Sequence, residues 1–155
     1  MTEVAGRYFE QLEVGRTYRH LVRRTVTETD NLLFTVMTMN TQALHLDEEF
    51  SKGSVAGTRL CNSIFTLGLI IGVGVSEMSG GTTVANLGFG EIVFPKPVLI
   101  GDTLHAETEV LEKRESQSRP NAGIVVFEHR GFNQRDDLVA KARRSALMLK
   151  DPGAV

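Results

Sequence analysis

The chain has no tryptophan, a single cysteine and only four prolines. One thiol, Cys61, can form neither an internal disulfide nor a paired-cysteine metal knuckle. That excludes a disulfide-stapled secreted domain and points to a reducing, cytoplasmic setting. Charge of one sign is lacking as well: 17 Lys+Arg against 19 Asp+Glu leave a net −2. No basic face is therefore expected to hold phosphates along a duplex, and nucleic-acid binding is a poor reading. The one charge-free stretch of note, Leu60 to Ser76, falls short of the roughly 20 mainly apolar residues a bilayer needs, and it carries Asn62, Ser63 and Thr66. The first residues, MTEVAGRYFEQLEVG, place acids and aromatics where a signal peptide needs a basic start and an apolar run. Neither export nor membrane insertion is expected.

What the chain does have is 155 residues at 41% hydrophobic, enough for one sizeable core and one domain over residues 1–155. Tyr18 to Val26 partly alternates and reads as a strand with one wet face. Thr27-Glu-Thr-Asp30 reads as a capping box that starts a helix over 28–39, with Leu32, Leu33, Val36, Met37 and Met39 expected against the core. Residues 40–62 lack a period and read as loop, where scaffold-held chemistry often sits. Asn62 or Ser63 can cap a helix over 64–76 that is apolar on every side and must be wrapped. Residues 83–94, 103–113, 123–134 and 138–149 then read as four strands joined as hairpins or a meander. The expected architecture is α+β: five mostly antiparallel strands around one apolar helix, because the alternating order of a doubly wound fold is absent.

That element order, with its histidine-bearing loop, resembles the hotdog fold, and the local sequences resemble the MaoC-like (R)-specific enoyl-CoA hydratase family over nearly the whole chain. Three stretches carry the likeness: Thr27–Asp30 leading to Asn40-Thr-Gln-Ala-Leu-His45-Leu-Asp47; Asn62-Ser-Ile-Phe-Thr-Leu-Gly-Leu69; and Asn86-Leu-Gly-Phe89 with Phe94-Pro-Lys-Pro-Val98 and Gly101-Asp-Thr-Leu104. His45 matches the family's histidine. Asn40 stands where the family usually holds an aspartate, and Asn62-Ser63 replaces its usual His-Gly pair. The resemblance implies hydration of a short enoyl-CoA thioester, or the reverse dehydration, and the N-T-Q-x-L-H variant implies branched or dicarboxylic acyl groups such as itaconyl or mesaconyl. It also implies catalysis by His45 and Asn40 with the backbone amide of Ser63 as oxyanion donor, without cofactor or metal.

The chemistry makes these residue types sensible. Hydration needs an activated water at the β-carbon, a proton for the α-carbon and donors for the enolate oxygen. Imidazole can hold and exchange a water proton, and a helix N-terminus supplies amides. The amide of Asn40 can orient a water but cannot take its proton; the ordinary alternative for Asn40 is a turn or helix C-cap residue. Asp47, Glu48 and Glu49 read as solvated helix-start acids. His20, His45, His105 and His129 lack zinc-site spacing. Lys113, Arg114, Arg119, Arg130, Arg143 and Arg144 are candidates for the coenzyme A phosphates. Two rival functions remain: a thioesterase using Glu77 or Asp47, or a non-catalytic acyl-CoA binding subunit. A lone five-stranded sheet leaves an edge and a seam open, so a homodimer paired edge to edge, with the active site at the interface, is expected.

Overall fold

The computed structural model describes residues 5–153. After a single 3-10 turn at Phe9–Gln11, the elements in chain order are β1 (Thr17–Arg19), β2 (Arg24–Thr25), α1 (Glu28–Met37), α2 (Ala43–Leu46), α3 (Glu48–Lys52), α4 (Ser63–Gly72), α5 (Val75–Met78), β3 (Thr83–Val93), β4 (Thr103–Glu115), β5 (Ala122–Phe132) and β6 (Leu138–Leu149). All ladders are antiparallel. The sheet runs β1-β4-β5-β6-β3, with β2 also on β4. The last three strands form a meander, whereas β3 crosses over to the far side of β6 and, among the described residues, leaves its own outer edge open.

The sheet therefore has six strands rather than five. The expected first strand is split because the Leu21 amide leaves the ladder to donate to Glu77 Oε1 at 3.1 Å, so Leu21 to Arg23 bulge away from β4 before β2 rejoins it. The expected helix over 64–76 is likewise interrupted. It stops at Gly72, and α5 starts afresh at Val75, with Gly74 pressed against His20; a Cβ on Gly74 would lie 2.5 Å from His20 Nε2.

Small residues in the sheet bring α4 close. Leu67, Ile70 and Val73 pack on Ala106, Ala140 and Ala142, and a Cβ at Gly131 would fall 2.3 Å from Ile70 Cγ2. Burying side chains of this size contributes about 1.5–3 kcal/mol each. The wrapping is one-sided within a single chain: Ile64 is 56% exposed and Val75 41%, and Gly68 and Gly72 between them meet no neighbour.

The orientation of α1 reverses the expected one. Its capping box forms, with the Asp30 amide donating to Thr27 Oγ1 at 3.2 Å and the Thr27 amide to Asp30 Oδ2 at 2.8 Å. Its apolar residues Leu32, Leu33, Val36 and Met37, however, face outward, and Asn31 and Thr35 are the buried pair. The polar face turns inward because it has bonds to make there.

Candidate active site

Asn31 and Thr35 lie one turn apart, so both reach the same neighbours. Asn31 Nδ2 donates to the His45 carbonyl at 3.0 Å, and its Oδ1 accepts the Asn62 amide at 2.8 Å. Asn62 Nδ2 donates to Thr35 Oγ1 at 3.4 Å. One buried polar frame thus fixes the histidine segment and the start of α4 to the same helix. The sequence reading missed these residues; their only signal was a pair of polar positions opposite an apolar stripe.

His45 sits on α2, within the stretch expected to be loop. Its Nδ1 lies 2.9 Å from the Leu60 carbonyl. A carbonyl can only accept, so Nδ1 carries a proton, and in the neutral ring the lone pair is on Nε2. Leu60 is held for this purpose by its amide bond to the Leu44 carbonyl, 3.1 Å, and by its bridge to Leu99. Asp47, Glu48 and Glu49 do not orient the ring: Asp47 caps α3 through the Phe50 amide, Glu48 pairs with Arg59 and Glu49 with Lys52. The solvated reading of that acidic run is the correct one.

His45 shares a cavity of about 430 Å³ with Ser63, the first residue of α4. Asn62 Oδ1 caps the helix by accepting the Ile64 amide at 3.0 Å. Among the described residues no acceptor is found for the Ser63 amide, which lies at the positive end of α4. Leu44, Leu60, Phe94, Val98 and Val139 make the rest of the wall largely apolar. Cys61 also lines it, but burial pushes its thiol up to about 11, against the opposing Thr66 hydrogen bond. A thiol held protonated is not a nucleophile.

Asn40 is not brought into this lining. Its Oδ1 accepts the Gln42 amide at 2.9 Å, closing a turn just before α2. The left-handed residue ending α1 is Met39, with φ of 55°. Indeed, no carboxylate lines the cavity among the described residues, and neither acid proposed for a thioesterase reaches it. Asp47 is the cap just described. Glu77, on α5, ends a buried chain that crosses the sheet. Arg144 Nε donates to His129 Nε2 at 3.2 Å, so His129 Nδ1 must donate to Thr108 Oγ1 at 2.9 Å. Thr108 then donates to His20 Nε2 at 2.8 Å, and His20 Nδ1 to Glu77 Oε2 at 3.0 Å. Burial alone would raise the Glu77 carboxyl, but the His20 and Leu21 hydrogen bonds hold it below the usual range.

The six basic residues considered for phosphate binding also lie outside the cavity. Arg130 is held by Glu107, Glu109 and Glu128, Arg143 by Glu128, and Lys113 by the Leu12 carbonyl. Among the described residues no three His, Cys, Asp or Glu side chains converge as a metal site, and no helix is long and apolar enough to cross a membrane.

Comparison with known proteins agrees with this architecture. The chain is 33% identical over 146 residues to a mesaconyl-CoA hydratase from Cereibacter sphaeroides, covering 94% of this chain but only 42% of that relative's length. A solved MaoC-like dehydratase from Rhodospirillum rubrum superposes with a TM-score of 0.80 at 29% identity, covering 95% of this chain and 99% of the other. A Mycobacterium tuberculosis protein with a double hotdog fold superposes with a TM-score of 0.87 at 21% identity, over 97% of this chain and 46% of that one, which establishes the fold alone. The family model described as MaoC like domain matches residues 9–130. The chain belongs to the MaoC-like domain family.

Proposed function

We propose that this chain hydrates a short enoyl-CoA, or dehydrates the corresponding 3-hydroxyacyl-CoA. The observation that carries the reading is His45 Nδ1 bound to the Leu60 carbonyl, which leaves Nε2 as a proton acceptor in the cavity where the Ser63 amide is free. With the thioester oxygen on that amide, a water on Nε2 gives up a proton to the imidazole as its oxygen bonds to the β-carbon. The double-bond electrons move to an enolate stabilised by the helix N-terminus. The imidazolium then returns the proton to the α-carbon, and the ring is regenerated neutral. Asn40 serves this reaction indirectly, by closing the turn that presents His45. The apolar wall suits a short acyl group, and the likeness to a mesaconyl-CoA hydratase favours the branched, dicarboxylic class. A cytoplasmic setting, where CoA thioesters and a reduced Cys61 coexist, fits the same reading.

A panel of crotonyl-, itaconyl- and mesaconyl-CoA tests it, read by loss of the conjugated thioester absorbance and, in parallel, by a thiol reagent. Hydration without thiol release is expected. Thiol release instead would establish a thioesterase. That no carboxylate among the described residues lines the cavity favours one further reading, a non-catalytic acyl-CoA binding subunit, and binding without any turnover would establish that.

The working unit in this reading is a homodimer. The open side of α4 and the exposed Leu87, Phe89 and Ile92 of the edge strand β3, paired on one side only with β6, leave apolar surface and a free edge among the described residues. A double hotdog chain carries two such folds where this chain carries one. Sedimentation at micromolar concentration should give a dimer, and Leu87→Glu should dissociate it with loss of turnover. A fully active monomer would sink the homodimer.

A further inference from the structure

A thioester of coenzyme A is anionic at its phosphates, and a dicarboxylic acyl group adds a free carboxylate. Either needs a cation that the polar frame around His45 does not provide. Lys96 is the only cationic side chain among the described residues lining the cavity. It follows β3 between Pro95 and Pro97, whose rings stiffen the backbone that presents it. Its ammonium lies 2.5 Å from Asp137 Oδ1, and the side chain is 56% exposed. An ion pair this open to water holds weakly.

Asp137 can release Lys96 without being stranded. Its Oδ2 also accepts from Asn133 Nδ2 at 3.3 Å and from Arg135 Nε at 3.4 Å, and its own amide donates to Asn133 Oδ1 at 3.1 Å. The carboxylate therefore keeps a cation and a rigid seat when the lysine leaves, whereas among the described residues no carboxylate lines the cavity to receive the lysine. We propose that Lys96 is the anion-binding group of this site, exchanging Asp137 for the phosphates of coenzyme A or the free carboxylate of the acyl group. This rests on the reading of the cavity as a CoA-thioester site.

Four saturated ligands separate the two sources: butyryl and methylsuccinyl thioesters, each of coenzyme A and of pantetheine, titrated calorimetrically. Lys96→Met should weaken the ligands that carry the recognised anion roughly tenfold, with Lys96→Arg largely restoring them and Asp137→Asn tightening them a few fold. If the phosphates are recognised, both CoA thioesters weaken and both pantetheines do not. If the acyl carboxylate is recognised, both methylsuccinyl thioesters weaken and both butyryl ones do not. A folded Lys96→Met protein that binds all four within twofold of the unaltered chain overturns the proposal, as does an unaltered chain that binds none. Saturated thioesters are not hydrated, so the affinities test Lys96 independently of turnover. Lys96-dependent binding without turnover of the enoyl panel would fail the hydratase reading and leave this one standing.

Discussion

Replacing His45 by alanine removes the Nε2 lone pair and leaves the Leu60 carbonyl without its donor, while the Asn31 bond to the residue-45 carbonyl survives because it is to backbone. Turnover of the preferred enoyl-CoA should fall about 10²- to 10⁴-fold, the scale of a positioned acid/base group, with the thermal transition little changed. Activity within a few fold of the unaltered chain would make His45 structural. Asn40→Asp tests the neighbouring position differently. A carboxylate can accept the Gln42 amide as the amide oxygen does, so the turn should persist and turnover should stay within about tenfold. A larger gain would mean that residue 40 reaches the reacting water and that its place outside the cavity is not its working one. His45 was legible in the sequence because its chemistry is in its side chain. The Leu60 carbonyl was not, because any residue supplies that atom and only the bond to Leu44 and the bridge to Leu99 put it there.

The elements divide along the same line, between what local pattern encodes and what tertiary contact decides. The strands β4, β5 and β6 and the capping box of α1 follow from alternation and from Thr27 and Asp30, and the structure has them within two residues of the expected ends. The break in the first strand and the stop at Gly72 depend on Glu77 and His20, which meet only in the folded molecule. The facing of α1 failed for a physical reason: its period located an apolar stripe, but the demand for partners by Asn31 and Thr35 decided which side went in. Gly131 offers a test at this scale. An alanine Cβ there meets the Cγ2 methyl of Ile70 at 2.3 Å and its Cβ at 3.1 Å, too close for a small adjustment, so α4 or Ile70 must shift. Gly131→Ala should cost about 1–3 kcal/mol of stability in urea titration, the usual price of overpacking. A neutral result would show that α4 rides loosely on the sheet. Because α4 also carries the Ser63 amide, any such shift should raise KM or lower kcat as well.

Over the whole molecule, the chain from Arg144 to Glu77 links all of β4, β5, β6 and α5 to a single pattern of protons, and this gives the fold a pH dependence that can be signed. Burial, with the Arg144 charge adding to it, lowers His129 to about 3, and its Nε2 is already filled by the Arg144 donor. The unfolded chain has an ordinary imidazole near 6.5. Between those values the unfolded state binds a proton that the folded state refuses, so stability is full above about pH 6.5 and is lost as pH falls, with a limiting slope of about 1.4 kcal/mol per pH unit. The acids held low by their partners, Asp30, Glu77, Glu91 and Asp137, act in the same direction but only near and below their unfolded values, about 4. The interval from pH 6.5 to 5 therefore isolates the imidazole contribution. Glutamine at position 129 keeps one acceptor for Arg144 and one donor for Thr108 but cannot titrate. Urea midpoints measured across that interval should fall for the unaltered chain and fall less steeply for His129→Gln. Equal slopes would mean that His129 binds its proton in the folded state too, and that the direction of the hydrogen bonds from Arg144 to Glu77 is not fixed by the arginine.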